Sequence, residues 1–166
     1  MKKMIAFCLL LFLIAFSKFI SAQTTDDTFA IYTLKDTMLL PRVSLTQQID
    51  SLELADTPFL TALDLVAYGK STHSFVLIPE MNLKWRQLQN RRYVMSGVPF
   101  VVTVGKERIY VGTFWWSYSS MRPPNCAFIE VLGPVPYKIE LGIDAVDKRN
   151  DPRIINSLRK AGILVE

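Results

Sequence analysis

The chain has 166 residues, half of them hydrophobic, and carries 19 Lys and Arg against 15 Asp and Glu, a formal net charge of +4. Lys2, Lys3 and Lys18 fall in an N-terminal leader, which leaves 16 basic against 15 acidic residues and removes the case for nucleic acid as a partner. Cys8 falls in the same leader, so Cys126 is the single cysteine beyond it and an exported product has no internal disulfide.

Residues 1–22, "MKKMIAFCLLLFLIAFSKFISA", have a lysine start, an unbroken apolar run from Ile5 to Phe16 and small residues Ser21 and Ala22 at the end. That is the layout of a secretory signal peptide. The apolar run falls short of the roughly 20 residues that span a bilayer, and Lys18 stops its extension. The expectation is export, to the periplasm or the extracellular space, with no transmembrane segment after signal removal. Residues 23–27 read as a mobile polar lead-in and 23–166 as one domain. Roughly 140 residues suffice for a core, since a chain of this size buries about 68–70% of its unfolded surface.

"TFAIYTLK" reads as the first strand, rich in aromatic and β-branched residues. Leu45, Ile49 and Leu52, spaced by four and three, permit a short helix after it. "LDLVAYGKSTHSFVLIP" reads as a hairpin turning on residues 69–72, which would set Tyr68 opposite His73 and Asp64 opposite Leu77. "EMNLKWRQLQNRRY" predicts a helix with Met81, Trp85 and Leu88 on one face. "GVPFVVTVGKERIYVGTFWW" gives the strongest strand signal, two runs joined through "GKE". "CAFIEVLG" and "YKIELG" predict two further strands. In "DPRIINSLRKAGILV", Asp151 can cap a helix, Pro152 fits its first position, Ile154, Ile155 and Leu158 form its apolar stripe, and Gly162 suits a left-handed exit. The sum is an α+β fold: an antiparallel sheet of about five or six strands with two or three helices packed on one side.

The segments "LDLVAYGKSTHSFVLIPE", "GVPFVVTVGKERIYVGTFWWSYSS" and "DPRIINSLRKAGIL", spread over residues 60–164, resemble a family of uncharacterised exported bacterial proteins and lipoproteins. The resemblance implies export and a compact α+β domain of unknown function. It brings no catalytic role and no cofactor. Many of these relatives carry a lipid-modified cysteine, which this chain lacks.

Several residue groups invite a chemical reading. "GKST" at 69–72 lacks the earlier glycine of a phosphate loop, having Asp64 there, and strand-like residues follow where a helix is required. A serine hydrolase would use His73 with Ser119 or Ser120, but a hairpin would hold Asp64 about 13 Å from His73, too far to orient it. One histidine and one cysteine make no zinc site, and the acids of "TTDDT" and "DAVDKRNDP" read as solvated loop residues. Lys84, Arg86, Arg91 and Arg92 form a basic helix face that would suit an anionic membrane surface, making the protein a structural component of the envelope.

The aromatic stretch "TFWWSYSS" carries the favoured reading. Alternation puts Ile109, Val111, Thr113 and Trp115 on one strand face and Tyr110, Gly112, Phe114 and Trp116 on the other. With Gly112 leaving a gap, Trp116, Tyr118, Ser119, Ser120 and Arg122 are expected to form a recognition patch. The function expected is a non-enzymatic exported binding module, whose partner would be a glycan, a peptide or an envelope protein.

Overall fold

The computed structural model describes residues 27–36, 39–90 and 96–166; residues 1–22, expected above to be a signal peptide, and Arg91 and Arg92 lie outside them. Among the described residues, nine strands join one sheet: β1 Phe29–Thr33, β2 Leu60–Thr61, β3 Leu65–Gly69, β4 Ser74–Leu77, β5 Val98–Val104, β6 Glu107–Trp115, β7 Ala127–Glu130, β8 Tyr137–Leu141 and β9 Leu164–Val165. Three short helices accompany them: α1 Pro41–Ser44, α2 Asn82–Gln89 and α3 Pro152–Lys160. The strand order is β2-β1-β5-β6-β7-β8-β4-β3-β9.

Chain connectivity forces this sheet to curl. Only Ala62–Asp64 separate β2, at one edge, from β3, next to the other edge. Laid flat, those two strands would stand seven spacings apart, about 34 Å. The link from Thr61 to Leu65 reaches about 14 Å at full stretch. The sheet therefore closes into a half-barrel. Asp64 fixes the link: its Oδ2 accepts from the Thr61 amide at 2.7 Å and the Thr61 hydroxyl at 2.8 Å.

This architecture corrects the expected antiparallel sheet of five or six strands with helices on one side. The sheet is mixed, with β6–β7 and β3–β9 parallel. The expectation failed because β2 and β9 are two residues long, too short to register as a period, and because residues 116–126 carry the chain back across the sheet before β7 begins. Nor do the helices stand side by side: α2 and α3 both reach the main core, but at opposite ends of β6. Trp85 of α2 meets Phe114 near the end of β6, ring centroids 6.0 Å apart, whereas Arg153 of α3 reaches Glu107 at its start. The two helices thus close opposite mouths of the half-barrel.

Inside lies the main core, including Phe29, Ile31, Tyr68, Phe75, Phe100, Phe114, Trp116, Ile129, Ile139 and Leu158. Trp85 enters it from α2 and packs on Phe59, Phe75, Phe114 and Tyr137, while its Nε1 donates to the Val131 carbonyl at 3.2 Å. Ser157 of α3 takes over where β2 stops. β2 pairs with Ala30 and Ile31 only, and the Phe29 amide donates instead to the Ser157 hydroxyl at 2.7 Å.

A second, smaller core lies on the outer face of β5 and β6, where Val101 and Val111 meet Leu34, Leu39, Ile49, Leu52 and Leu54. The helix expected through Leu45, Ile49 and Leu52 does not form. Pro41 starts a single helical turn ahead of it, and Ile49 falls in a separate 3-10 turn, Ile49–Ser51. Arg108 pins this segment, its Nη1 donating to the carbonyls of Ile49 at 2.7 Å and Leu52 at 2.6 Å. Arg108→Ala is expected to cost about 1.5–3 kcal/mol in urea unfolding, the range for a hydrogen bond to a charged group. Limited proteolysis should then cut within residues 45–56 faster than in the parent.

The β3–β4 hairpin forms with its turn shifted by one residue. Gly69 pairs with Ser74, and Tyr68 faces Phe75 rather than His73. His73 instead ends the turn in the left-handed region, φ 53°. The α3 signals hold as read: Asp151 Oδ1 accepts from the Arg153 amide at 2.9 Å, and Gly162 leaves the helix at φ 73°.

Candidate functional site

Trp116 is not part of an exposed patch. It is 0% exposed, and its Nε1 points to the Gln89 carbonyl at 3.4 Å. The face it shares with Tyr110, Gly112 and Phe114 is the interior of the half-barrel. The gap at Gly112 is already filled, since a Cβ there would lie 2.3 Å from a Phe100 ring atom. Trp115, on the outer face, is buried as well. Beyond the strand, Tyr118, Ser120 and Arg122 are exposed, while Ser119 is half-buried and its hydroxyl accepts from the Met121 amide at 3.2 Å.

The basic face is likewise divided. Arg86 is exposed, but Lys84 turns onto the body, donating to the Pro58 carbonyl at 3.0 Å and lying 5.0 Å from the Phe59 ring centroid. Arg91 and Arg92 fall outside the described residues.

His73 and the two serines are not brought together. β7 and β8 lie between β6, which leads to Ser119, and β4, which follows His73. Three strand spacings amount to about 14 Å along the sheet. His73 is buried, and its Nδ1 meets the Tyr68 hydroxyl at 3.3 Å. Burial, reinforced by Arg149, holds the imidazole below its ordinary pKa, so the neutral ring shares one hydrogen bond with the phenol. Burial also keeps the Tyr68 phenol protonated. Cys126 is buried in the same region, its thiol pushed up to about 12 by desolvation.

His73 is one of two anchors at the mouth closed by α3. Its backbone carbonyl accepts from the Ile139 amide at 2.9 Å, and the Ile139 carbonyl in turn accepts from Arg149 Nη1 at 2.8 Å. Arg149 also grips Asp147 through two bonds of 2.9 and 2.8 Å. One anchor fixes the turn that carries Lys70 and Ser71; the other fixes the loop that leads to Asn150 and the Asp151 cap.

Between these two rims lies a groove of about 460 Å³ whose polar lining is Lys70, Ser71, Asn150, Asn156, Arg159 and Glu166. β9 runs parallel to β3 along it. The Tyr68 and Lys70 amides donate to the carbonyls of Ile163 and Val165, each at 2.8 Å. At its end the Glu166 side-chain carboxylate is held from two sides, by Lys70 Nζ at 2.6 Å and Arg159 Nη2 at 3.3 Å. Arg159 Nη1 is steadied by Asn156 Oδ1 at 2.9 Å. The two cations lower the Glu166 pKa, keeping it ionised. Lys70 and Glu166 are 96 residues apart, and no local pattern marks their meeting.

The anchors make the mouth acid-sensitive. His73 has a depressed pKa in the folded chain, so the unfolded chain takes up its proton first as pH falls. Its contribution is complete above the ordinary histidine range and is lost as pH drops through it. Asp147, lowered to about 2 chiefly by its Arg149 hydrogen bond, adds a second loss below pH 4 or so. Urea midpoints should therefore fall between pH 7.5 and 5. The fall should flatten in His73→Asn, which tolerates the left-handed turn and does not titrate.

Among the described residues, no group of three His, Cys, Asp or Glu side chains is placed to hold a metal, and no helix is long and apolar enough to cross a membrane. No family model, curated protein or solved structure matches the chain.

Proposed function

We propose that this chain is an exported, non-enzymatic binding module that holds a carboxylate-bearing partner in the groove between β3 and α3. One observation carries the reading: a carboxylate already sits there, that of Glu166, bracketed by Lys70 and Arg159. A lysine and an arginine converging on one carboxylate, with Asn156 orienting the guanidinium, form a recognition geometry for anions. His73 and the Cys126 thiol do not line this groove. His73 is neutral and engaged by Tyr68, and the Cys126 thiol is held in its unreactive protonated form.

The test is a titration of the protein with acetyl-Val-Glu-amide, followed by amide NMR. Saturable shifts are expected at Lys70, Ser71, Asn156 and Arg159 with a Kd on the order of 1 mM. They should vanish in the Lys70→Ala plus Arg159→Ala variant. Unchanged spectra, or shifts that survive in that variant, would sink the reading.

A further inference from the structure

We infer that the partner is a protein segment captured as an extended strand, parallel to β3, with an acidic side chain seated between Lys70 and Arg159. Residues 163–166 are the internal occupant that it displaces. The inference rests on the carboxylate reading above and adds the form of the ligand.

The chain itself supplies the template. Ile163–Glu166 is an extended run that pairs its backbone with β3 and places a carboxylate on the two cations, the geometry of strand addition to a sheet edge. Its backbone and charge hold is short, since β9 matches only Tyr68 and Gly69 and its ion pairs lie at the surface, while Ile163 and Leu164 rest on the rim of the main core.

The edge is also longer than its occupant. β3 begins at Leu65, and Leu65–Ala67 have no strand partner on that side among the described residues. Val66, on this open stretch, is 55% exposed. The internal segment cannot extend along it, because the chain turns away into α3 through Gly162, where the Ile163 amide bonds back to the Leu158 carbonyl. A strand from another protein has no such tether and can pair along the whole of β3. An unpaired edge of this kind is a template for a further strand. Gly162 has nothing within 4 Å of where a Cβ would sit, so the hinge is free of packing.

The probe is a labelled, amidated peptide, Thr-Val-Thr-Ile-Leu-Val-Glu, whose only carboxylate is the glutamate side chain, with binding read by fluorescence anisotropy. It should bind the protein, and bind Leu164→Asp about tenfold more tightly because the internal competitor is released. Replacing the peptide glutamate by glutamine should weaken binding roughly threefold. Should Leu164→Asp not fold, Glu166→Gln frees the same cations without touching the core and should tighten the peptide roughly threefold.

No capture by any of these proteins, or equal affinity for all of them with no dependence on the glutamate, overturns the inference. Binding of acetyl-Val-Glu-amide without peptide capture overturns strand addition and leaves the carboxylate reading intact. Failure of both ligands removes both. A concentration-dependent dimer that the peptide cannot dissociate would put a second copy on the edge and overturn the inference as well.

Discussion

Trp116→Ala is expected to lower the stability of the protein by about 3–5 kcal/mol, the cost of emptying a fully buried aromatic site. The tryptophan is 0% exposed and lies in the main core with Phe114 and Ile129. Its removal also strips the Gln89 carbonyl, at the end of α2, of the indole donor. For a chain of this size the midpoint should fall by about 10 °C. Two residues on, Tyr118→Ala removes a side chain that is 48% exposed and should stay within about 0.5 kcal/mol of the parent. The pair separates packing from surface by urea unfolding alone. A Trp116 variant as stable as the parent would mean that the ring does not fill the half-barrel.

Gly112→Ala is the second large effect, here from a single added methyl. Its Cβ would meet Phe100 ring atoms at 2.3 and 2.4 Å and the Ala127 carbonyl oxygen at 2.8 Å. Neither neighbour can give way easily. Phe100 is 0% exposed and packs on Phe114 with centroids 4.8 Å apart, and Ala127 is the residue paired with Gly112 across the parallel β6–β7 ladder. Destabilisation of about 3 kcal/mol is expected, at the upper end of overpacking costs. Phe100→Leu in the same chain should restore part of the loss, because it withdraws the ring atoms that clash. Strict additivity of the two substitutions would show that the contact is not the cause.

These two residues also show how far the sequence could be read. Alternation along β6 sorted Trp115 and Trp116 onto opposite faces and marked the strand as apolar on both, which fits its place inside the sheet. It also marked Gly112 as a gap. What alternation lacked was the occupant: Phe100 lies on the neighbouring strand, and only the pairing of Phe100 with Gly112 puts its ring there. The caps of α3 and the β5–β6 hairpin were legible because Asp151, Pro152, Gly162 and the turn after Val104 act within a few residues.

The half-barrel was hidden because its closure depends on two-residue strands and on the three-residue link between β2 and β3. The groove was less legible still. Lys70 reads as a turn residue and Arg159 as a helix-end cation, and neither signals a carboxylate from the end of β9. His73 was misplaced by one residue, because turn propensity locates "GKST" without fixing its register.

The most direct measurement is a structure of the protein with the Thr-Val-Thr-Ile-Leu-Val-Glu peptide bound. The account predicts the peptide in place of β9, parallel to β3, its glutamate between Lys70 and Arg159, with residues 163–166 displaced. A peptide found on the loop of Tyr118 and Arg122, with Glu166 still held by Lys70 and Arg159, would contradict it.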